Sequence, residues 1–281
     1  MRLWLCGVRG STPAVGIEFA SVGGHTSCVA IGHDDGPPRL IIDAGTGLRE
    51  VTKLLDGEPF HGSILLSHLH WDHTHGLPFF GAGDRPDAVV RVLVPAQGEP
   101  ARDLVARVLS PPHFPITPDQ LRGSWSFDAL DVGATRIEGF DVLAREIPHK
   151  GGRTFGYRIS DGHHTVAYLS DHAPQDLGGG ALGLGVLHAD ALELAHDADV
   201  LFHDAQYCAS ELPTRGAFGH AAYEYGVELA RAAHVRRLML FHHDPARTDT
   251  EVEQFLGHAR QLAGEHALRV DIARQGAIID L

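Results

Sequence analysis

The chain has 281 residues, 43% hydrophobic and 21% charged, enough for one sizeable α/β core and too apolar for wholesale disorder. Its formal charge of -13 argues against broad attraction to nucleic acid, which needs clustered Lys and Arg, and no apolar run reaches the ~18 residues of a membrane span. Three widely spaced cysteines, Cys6, Cys28 and Cys208, fit reduced thiols rather than a disulfide framework; with no signal-peptide-like run after Met1, a cytoplasmic location is expected.

Taken in chain order, β-rich apolar runs predict strands over residues 2–8, 27–31, 40–43 and 63–67. The last of these runs directly into Ser67-His68-Leu69-His70-Trp71-Asp72-His73. A strand over 89–94 and a helix over 100–109 follow, then the proline-rich stretch 110–118. An insertion over 110–125 is expected to serve as a lid or as the subunit contact of a homo-oligomer. Further strands are predicted over 155–159, 165–170, 200–205 and 238–242, with helices over 221–233 and 251–263. The last helix places Val252, Phe255, Leu256, Ala259, Leu262 and Ala263 on one face behind a Thr248-x-x-Glu251 capping box. The glycine-rich stretch 178–185 lacks the Gly-Lys-Ser/Thr ending of a phosphate-binding loop and reads as a connection. Strands with helices dispersed among them predict α/β sheets packed together under outer helices. Without a linker or repeat, one domain over 1–281 is expected.

Histidine is the unusual component, 21 residues against 23 Lys plus Arg, and neutral imidazole is the commonest protein metal ligand. Residues two apart on extended backbone point the same way, so His68 and His70 can converge on one metal while Asp72 and His73, past the turn, reach a second. Four potential ligands within six positions at a strand end are hard to ascribe to a solvated loop. His75 falls outside this spacing and reads as a loop residue.

The pattern His68-x-His70-x-Asp72-His73 resembles the signature of the metallo-β-lactamase fold superfamily. The resemblance spans essentially the whole chain and implies a four-layer αββα sandwich with metal bound between the two sheets. Asp43-Ala44-Gly45 resembles the first motif, a strand-end aspartate supporting the metal loops. His149 resembles the third-motif histidine, Asp171 the aspartate bridging both metals, and His242, rather than its neighbour His243, the last ligand. The implied sets are His68, His70 and His149 for one ion and Asp72, His73 and His242 for the other, with Asp171 shared. Two divalent cations follow, zinc or manganese, with a metal-bridging hydroxide as the expected nucleophile.

Phe218-Gly219-His220-Ala221-Ala222 is similar to an extra histidine motif of the phosphodiesterase branch, which includes ribonuclease Z and the cyclic-phosphate phosphodiesterase of phosphonate utilisation. This implies that His220 helps bind the phosphate and protonates the leaving alkoxide, that Asp204 orients it, and that Asp72 acts in catalysis as well as in metal binding. Asp204 reads equally as a strand-end turn residue. The segments Gly7-Val8-Arg9-Gly10-Ser11-Thr12-Pro13, Gly23-Gly24-His25-Thr26-Ser27-Cys28 and Pro112-x-Phe114-Pro115 resemble a less characterised group within this branch, with His25 standing where that group shows Asn. Lys150 and Arg153 are expected to be solvated.

The expected activity is hydrolysis of a small or cyclic phosphodiester. With an acidic chain and no basic arm, large nucleic acid is not expected as a partner. Thioester or lactam hydrolysis, which would not need His220, and a non-catalytic metal-binding regulatory role are the alternatives.

Overall fold

In the computed structural model, residues 1–264 and 268–281 are described. The strands are β1 (Arg2–Gly7), β2 (Cys28–Gly32), β3 (Leu40–Ile42), β4 (His61–Leu65), β5 (Val89–Pro95), β6 (Ser124–Leu130), β7 (Gly133–Ile137), β8 (Phe140–Ile147), β9 (Thr154–Ser160), β10 (Thr165–Leu169), β11 (Val200–Asp204), β12 (Arg237–Phe241), β13 (Arg269–Ile272) and β14 (Ile278–Asp280). The helices are α1 (Leu48–Leu54), α2 (Trp71–Thr74), α3 (Ala101–Ala106), α4 (Ala189–Ala195), α5 (Leu212–Arg215), α6 (Tyr223–Ala232) and α7 (Asp249–Ala263).

Among the described residues two seven-stranded sheets form, in the orders β14-β1-β2-β3-β4-β5-β6 and β13-β12-β11-β10-β9-β8-β7. Each is mixed in the same way: β14, β1, β2 and β3 pair antiparallel and β3 to β6 parallel, while β7 to β10 pair antiparallel and β10 to β13 parallel. The parallel strands therefore present several carboxyl ends from both sheets, the usual place for a site in an α/β protein.

The two-residue period of a strand explains how the sheets stack. In β1 and β2, Leu3, Leu5, Val29 and Ile31 join the core shared with Phe155, Tyr157 and Ile159 of the opposite sheet. The alternating Cys28 and Ala30 join a second core with Leu48 and Val51 of α1 and Leu104 and Val105 of α3. Outer helices α4, α6 and α7 cover the other face of the second sheet through Leu194, Val227, Leu229, Val252 and Leu256. This is a helix-sheet-sheet-helix sandwich, as the sequence patterning and the resemblance led us to expect.

Five strands escape the sequence patterning: β6, β7, β8, β13 and β14. Four of these lie toward sheet edges, where one face is solvated and the apolar signal is weak; β6 alternates exposed and half-buried residues along nearly its whole length. β7 and β8 form a hairpin whose two turn residues, Glu138 and Gly139, have φ of 50° and 86°, the left-handed pair that a tight hairpin requires. The helix expected over 221–233 begins at Tyr223, and the Thr248–Glu251 capping box forms as the sequence predicts. Within the 110–125 insertion, Phe114 meets Phe79 edge-on with ring centroids 5.8 Å apart. No helix among the described residues is long and apolar enough to cross a membrane.

Candidate metal centre

Every predicted site residue but His220 lies at or just beyond the end of a strand; His220 lies in the connection that leads into α6. The β4 strand delivers Ser67 to His70, and α2 follows at once with Asp72 and His73 in its single turn. His149 lies beyond β8, Asp171 beyond β10, Asp204 ends β11 and His242 follows β12. Asp43, Asp171 and His242 all have left-handed backbone, with φ of 60°, 55° and 57°. Non-glycine residues held there cost of order 1–3 kcal/mol each and cluster at functional sites.

Two groups of side chains converge, each with ligand-type atoms within 4.8 Å of one another: His68, His70, His149 and Asp171, and Asp72, His73, Asp171 and His242. Asp171 belongs to both because its two oxygens divide. Oδ1 faces His68 Nε2 at 3.8 Å and His149 Nε2 at 3.6 Å, whereas Oδ2 faces His73 Nε2 at 3.0 Å and His242 Nε2 at 3.2 Å. Asp72 Oδ2 lies 3.2 Å from His73 Nε2 and 3.1 Å from His242 Nε2.

Supporting hydrogen bonds fix which imidazole nitrogen carries a proton. Ser67 Oγ donates to Asp43 Oδ2 at 2.9 Å and so must accept from His68 Nδ1 at 3.0 Å. His73 Nδ1 donates to Asp43 Oδ2 at 2.7 Å, and His149 Nδ1 to the Gly219 carbonyl at 2.6 Å. In all three rings the Nε2 lone pair is thereby turned into the cleft, the arrangement by which outer partners orient metal-binding histidines. Asp43 also accepts from the Ser67 amide at 2.7 Å and the Tyr168 hydroxyl at 2.7 Å.

The donor chemistry fits a divalent cation. Among the described residues, the buried Nε2 atoms of His68 and His73 have no hydrogen-bond partner, a costly condition unless something else meets the lone pair. Burial holds His68, His70 and His149 below the usual imidazole range, which favours the neutral ring that binds metal. Around His73, burial opposes charge but Asp72, Asp171 and Asp43 outweigh it and push the ring well upward. Likewise Asp72, though buried, is held well below the carboxylate range by His73 and His242. Positive charge is thus favoured where those carboxylates meet.

His220 stands against both groups. Its Nδ1 is 2.8 Å from Asp204 Oδ2 and 3.8 Å from Asp171 Oδ1, and its ring lies 5.3 Å from that of His149 and 5.1 Å from that of His242. Burial disfavours its charge, yet Asp204, Asp171 and Asp72 together push it up to about 9. Asp204 is therefore no isolated turn residue: Oδ1 accepts from the Gln206 amide at 2.9 Å while Oδ2 holds His220. Asp171, Asp204, His220 and His242 form a third group of ligand-type atoms within 4.8 Å.

Other candidates fall elsewhere. His243 turns away and its Nε2 meets the Ala273 carbonyl at 3.1 Å, with burial pushing it down to about 3. His75 is exposed after α2, and His25 contacts Thr46 Oγ1 at 3.1 Å. Lys150 pairs with Asp176 and Arg153 with Glu146, each at 2.9 Å. Sequence reasoning attached no role to the turn at Gly10-Ser11, yet the Ser11 amide donates to Asp72 Oδ2 at 2.6 Å. A Cβ on Gly10 would come within 2.3 Å of the His242 ring, so only glycine fits there. Ser67 and Tyr168 were also overlooked as supports; a strand-end hydroxyl beside a metal motif was the available signal.

A family model for the beta-lactamase superfamily domain matches residues 38–243, a span that holds all seven residues of the two groups. The chain belongs to the metallo-β-lactamase superfamily. Ribonuclease Z of Exiguobacterium sibiricum is 25% identical over 249 residues, covering 74% of this chain and 79% of that protein. Among solved structures, the metallo-beta-lactamase fold protein YhfI from Bacillus subtilis has a TM-score of 0.70 at 17% identity, covering 99% of each chain. The short form of human tRNase Z has a TM-score of 0.65 at 17% identity, covering 100% of this chain and 99% of that one. This metallo-β-lactamase superfamily member is a metal-dependent hydrolase.

One expectation is overturned by these relatives: a small phosphodiester as partner, with large nucleic acid set aside. Ribonuclease Z of Exiguobacterium sibiricum, matched across 74% of this chain, is a ribonuclease. Net charge averages over the whole surface, whereas phosphate is met locally, and cations held by the site add positive charge that the amino-acid count omits.

Proposed function

We propose that this superfamily member is a two-ion phosphodiesterase acting on the phosphodiester bonds of RNA. The reading is carried by the divided carboxylate of Asp171, which serves two adjacent donor groups within reach of His220. The ribonuclease relative supplies the substrate class.

His68, His70 and His149 would hold one ion and Asp72, His73 and His242 the other, with Asp171 common to both; zinc suits the imidazole-rich donors, and manganese is the alternative. Such ions, when bound, activate water near neutral pH and offset the charge of phosphoryl oxygens. The chain's own residues do the rest. Ser11, Leu69, His70, Trp71, Asp72, Asp171 and His220 line a cavity of about 400 Å³ that admits the phosphate. His220 engages Asp204 through Nδ1, leaving Nε2 for the substrate. Protonated, it donates a hydrogen bond to a phosphoryl oxygen and then passes the Nε2 proton to the departing ribose oxygen. Asp204 keeps the ring oriented and favours its protonated form before transfer. Ser11, through its amide, fixes the Asp72 carboxylate against the second donor group.

The test is cleavage of precursor tRNA and short oligoribonucleotides by metal-loaded protein, with His220→Ala alongside. Loss of the general acid should lower kcat by roughly 10²- to 10⁴-fold while metal content stays that of wild type. Loss of metal with the ring would instead make His220 a ligand, and thioester cleavage without phosphodiester cleavage would overturn the reading.

A further inference from the structure

The metal loop carries a residue that its chemistry does not use. Trp71 lies between His70 and Asp72 at the first position of α2, and its side chain is 64% exposed. Its ring stacks on His75, with centroids 5.6 Å apart and planes 16° from parallel. It therefore presents one rigid aromatic face beside the candidate ligands. On one side Trp71 lines the 400 Å³ cavity with Asp72, Asp171 and His220. On the other it lines a groove of about 610 Å³ with Leu77, Phe79, His113 and Phe114. Phe79 is also 64% exposed. Single exposed hydrophobics are ordinary on protein surfaces, but an aromatic groove that shares Trp71 with the cavity holding Asp72, Asp171 and His220 has the form of a ligand subsite.

We propose that Trp71, with the groove it shares with Phe79 and Phe114, is a stacking subsite for the nucleobase flanking the scissile phosphodiester. The inference rests on the RNA reading above and adds to it the part of the substrate that is gripped. A nucleotide joins an anionic phosphate to a flat aromatic base, and this surface joins a cation-binding cavity to a flat aromatic face in the same order. Every base has a π-face, so such a platform grips RNA with little sequence preference. A peptide or lipid tail would use the groove but would have no reason to lie against the metal ligands.

Two measurements test it. In the first, wild type, Trp71→Phe and Trp71→Ala cleave an oligoribonucleotide and versions lacking the base on one or the other side of the mapped cut. Wild type should lose roughly 5- to 150-fold in kcat/KM without the stacked base. Trp71→Ala should show the same loss on the intact RNA, mainly in KM, and no further loss on the abasic one; Trp71→Phe should restore most of it. Equal metal content in all three separates stacking from damage to the loop. An active enzyme whose Trp71→Ala variant is impaired equally on both RNAs would overturn the subsite and leave the phosphodiesterase reading standing. The second measurement needs no turnover. An uncleavable 2′-O-methyl oligoribonucleotide should quench the fluorescence of Trp71 saturably, and the quenching should vanish in Trp71→Phe, which keeps Trp4 and Trp125. Absence of quenching in wild type would overturn the proposal whatever the enzyme cleaves.

Discussion

The two donor groups at the cleft differ in how firmly the fold holds them. His70, in the first group, is only half-buried, whereas Asp72, His73 and His242, in the second, are buried throughout; the His149 ring is itself buried. The second group is also braced from outside. Asp43 holds His73, the Ser11 amide holds Asp72, and the Gly10 backbone packs against His242. In the first group the supports are fewer: Ser67 behind His68 and the Gly219 carbonyl behind His149. Charge follows the same division, since Asp72 is specific to the second group while the first has only histidines beside the shared Asp171. The comparison teaches that the fold braces the second donor group more firmly, and with more anionic charge, than the first.

The largest break should come at the residue the two groups share. Asp171→Asn removes the charge from both, and metal analysis should find both equivalents reduced, with hydrolysis falling further than in His220→Ala. Retention of one full equivalent would show that Asp171 serves a single group. Next in size is Asp43→Asn, which weakens the support of His73. Such outer partners typically contribute 10- to 100-fold in metal affinity, so the tighter binding step in a metal titration should weaken by about that factor while the other moves less. Equal weakening of both steps would erase the distinction between the groups.

A smaller effect is expected in pH dependence. Asp204 heads the groups that raise His220. The general acid acts while protonated, so activity is present below its pKa and is lost as pH rises through it. Asp204→Asn removes the raising charge, and the alkaline limb of the kcat profile should move to lower pH. A limb that stays in place would detach Asp204 from His220.

The sequence made these groups legible unevenly. His68 to His73 can be read locally because strand alternation and one turn of helix place them. His149, Asp171 and His242 lie far apart in the chain, and only resemblance joined them. His242 and His243 part just past the end of β12, where the left-handed backbone of His242 turns its ring to the cleft while His243 meets the Ala273 carbonyl. The Gly10-Ser11 turn carries no chemical signature, because it acts through a backbone amide and through the absence of a side chain. In the fold, β6 and the β7–β8 hairpin were hidden because solvated faces replace the apolar runs by which β4 and β11 announce themselves. The substrate was misjudged from net charge, a global quantity that says little about one cleft.

The central claim is that two cation sites share Asp171, and titration of metal-free protein with zinc, monitored by calorimetry and checked by metal analysis, tests it most directly. Wild type should bind two equivalents in two affinity classes. His242→Ala should lose the tighter class and His149→Ala the weaker one. A single equivalent in wild type, or loss of the same class in both variants, would contradict the account.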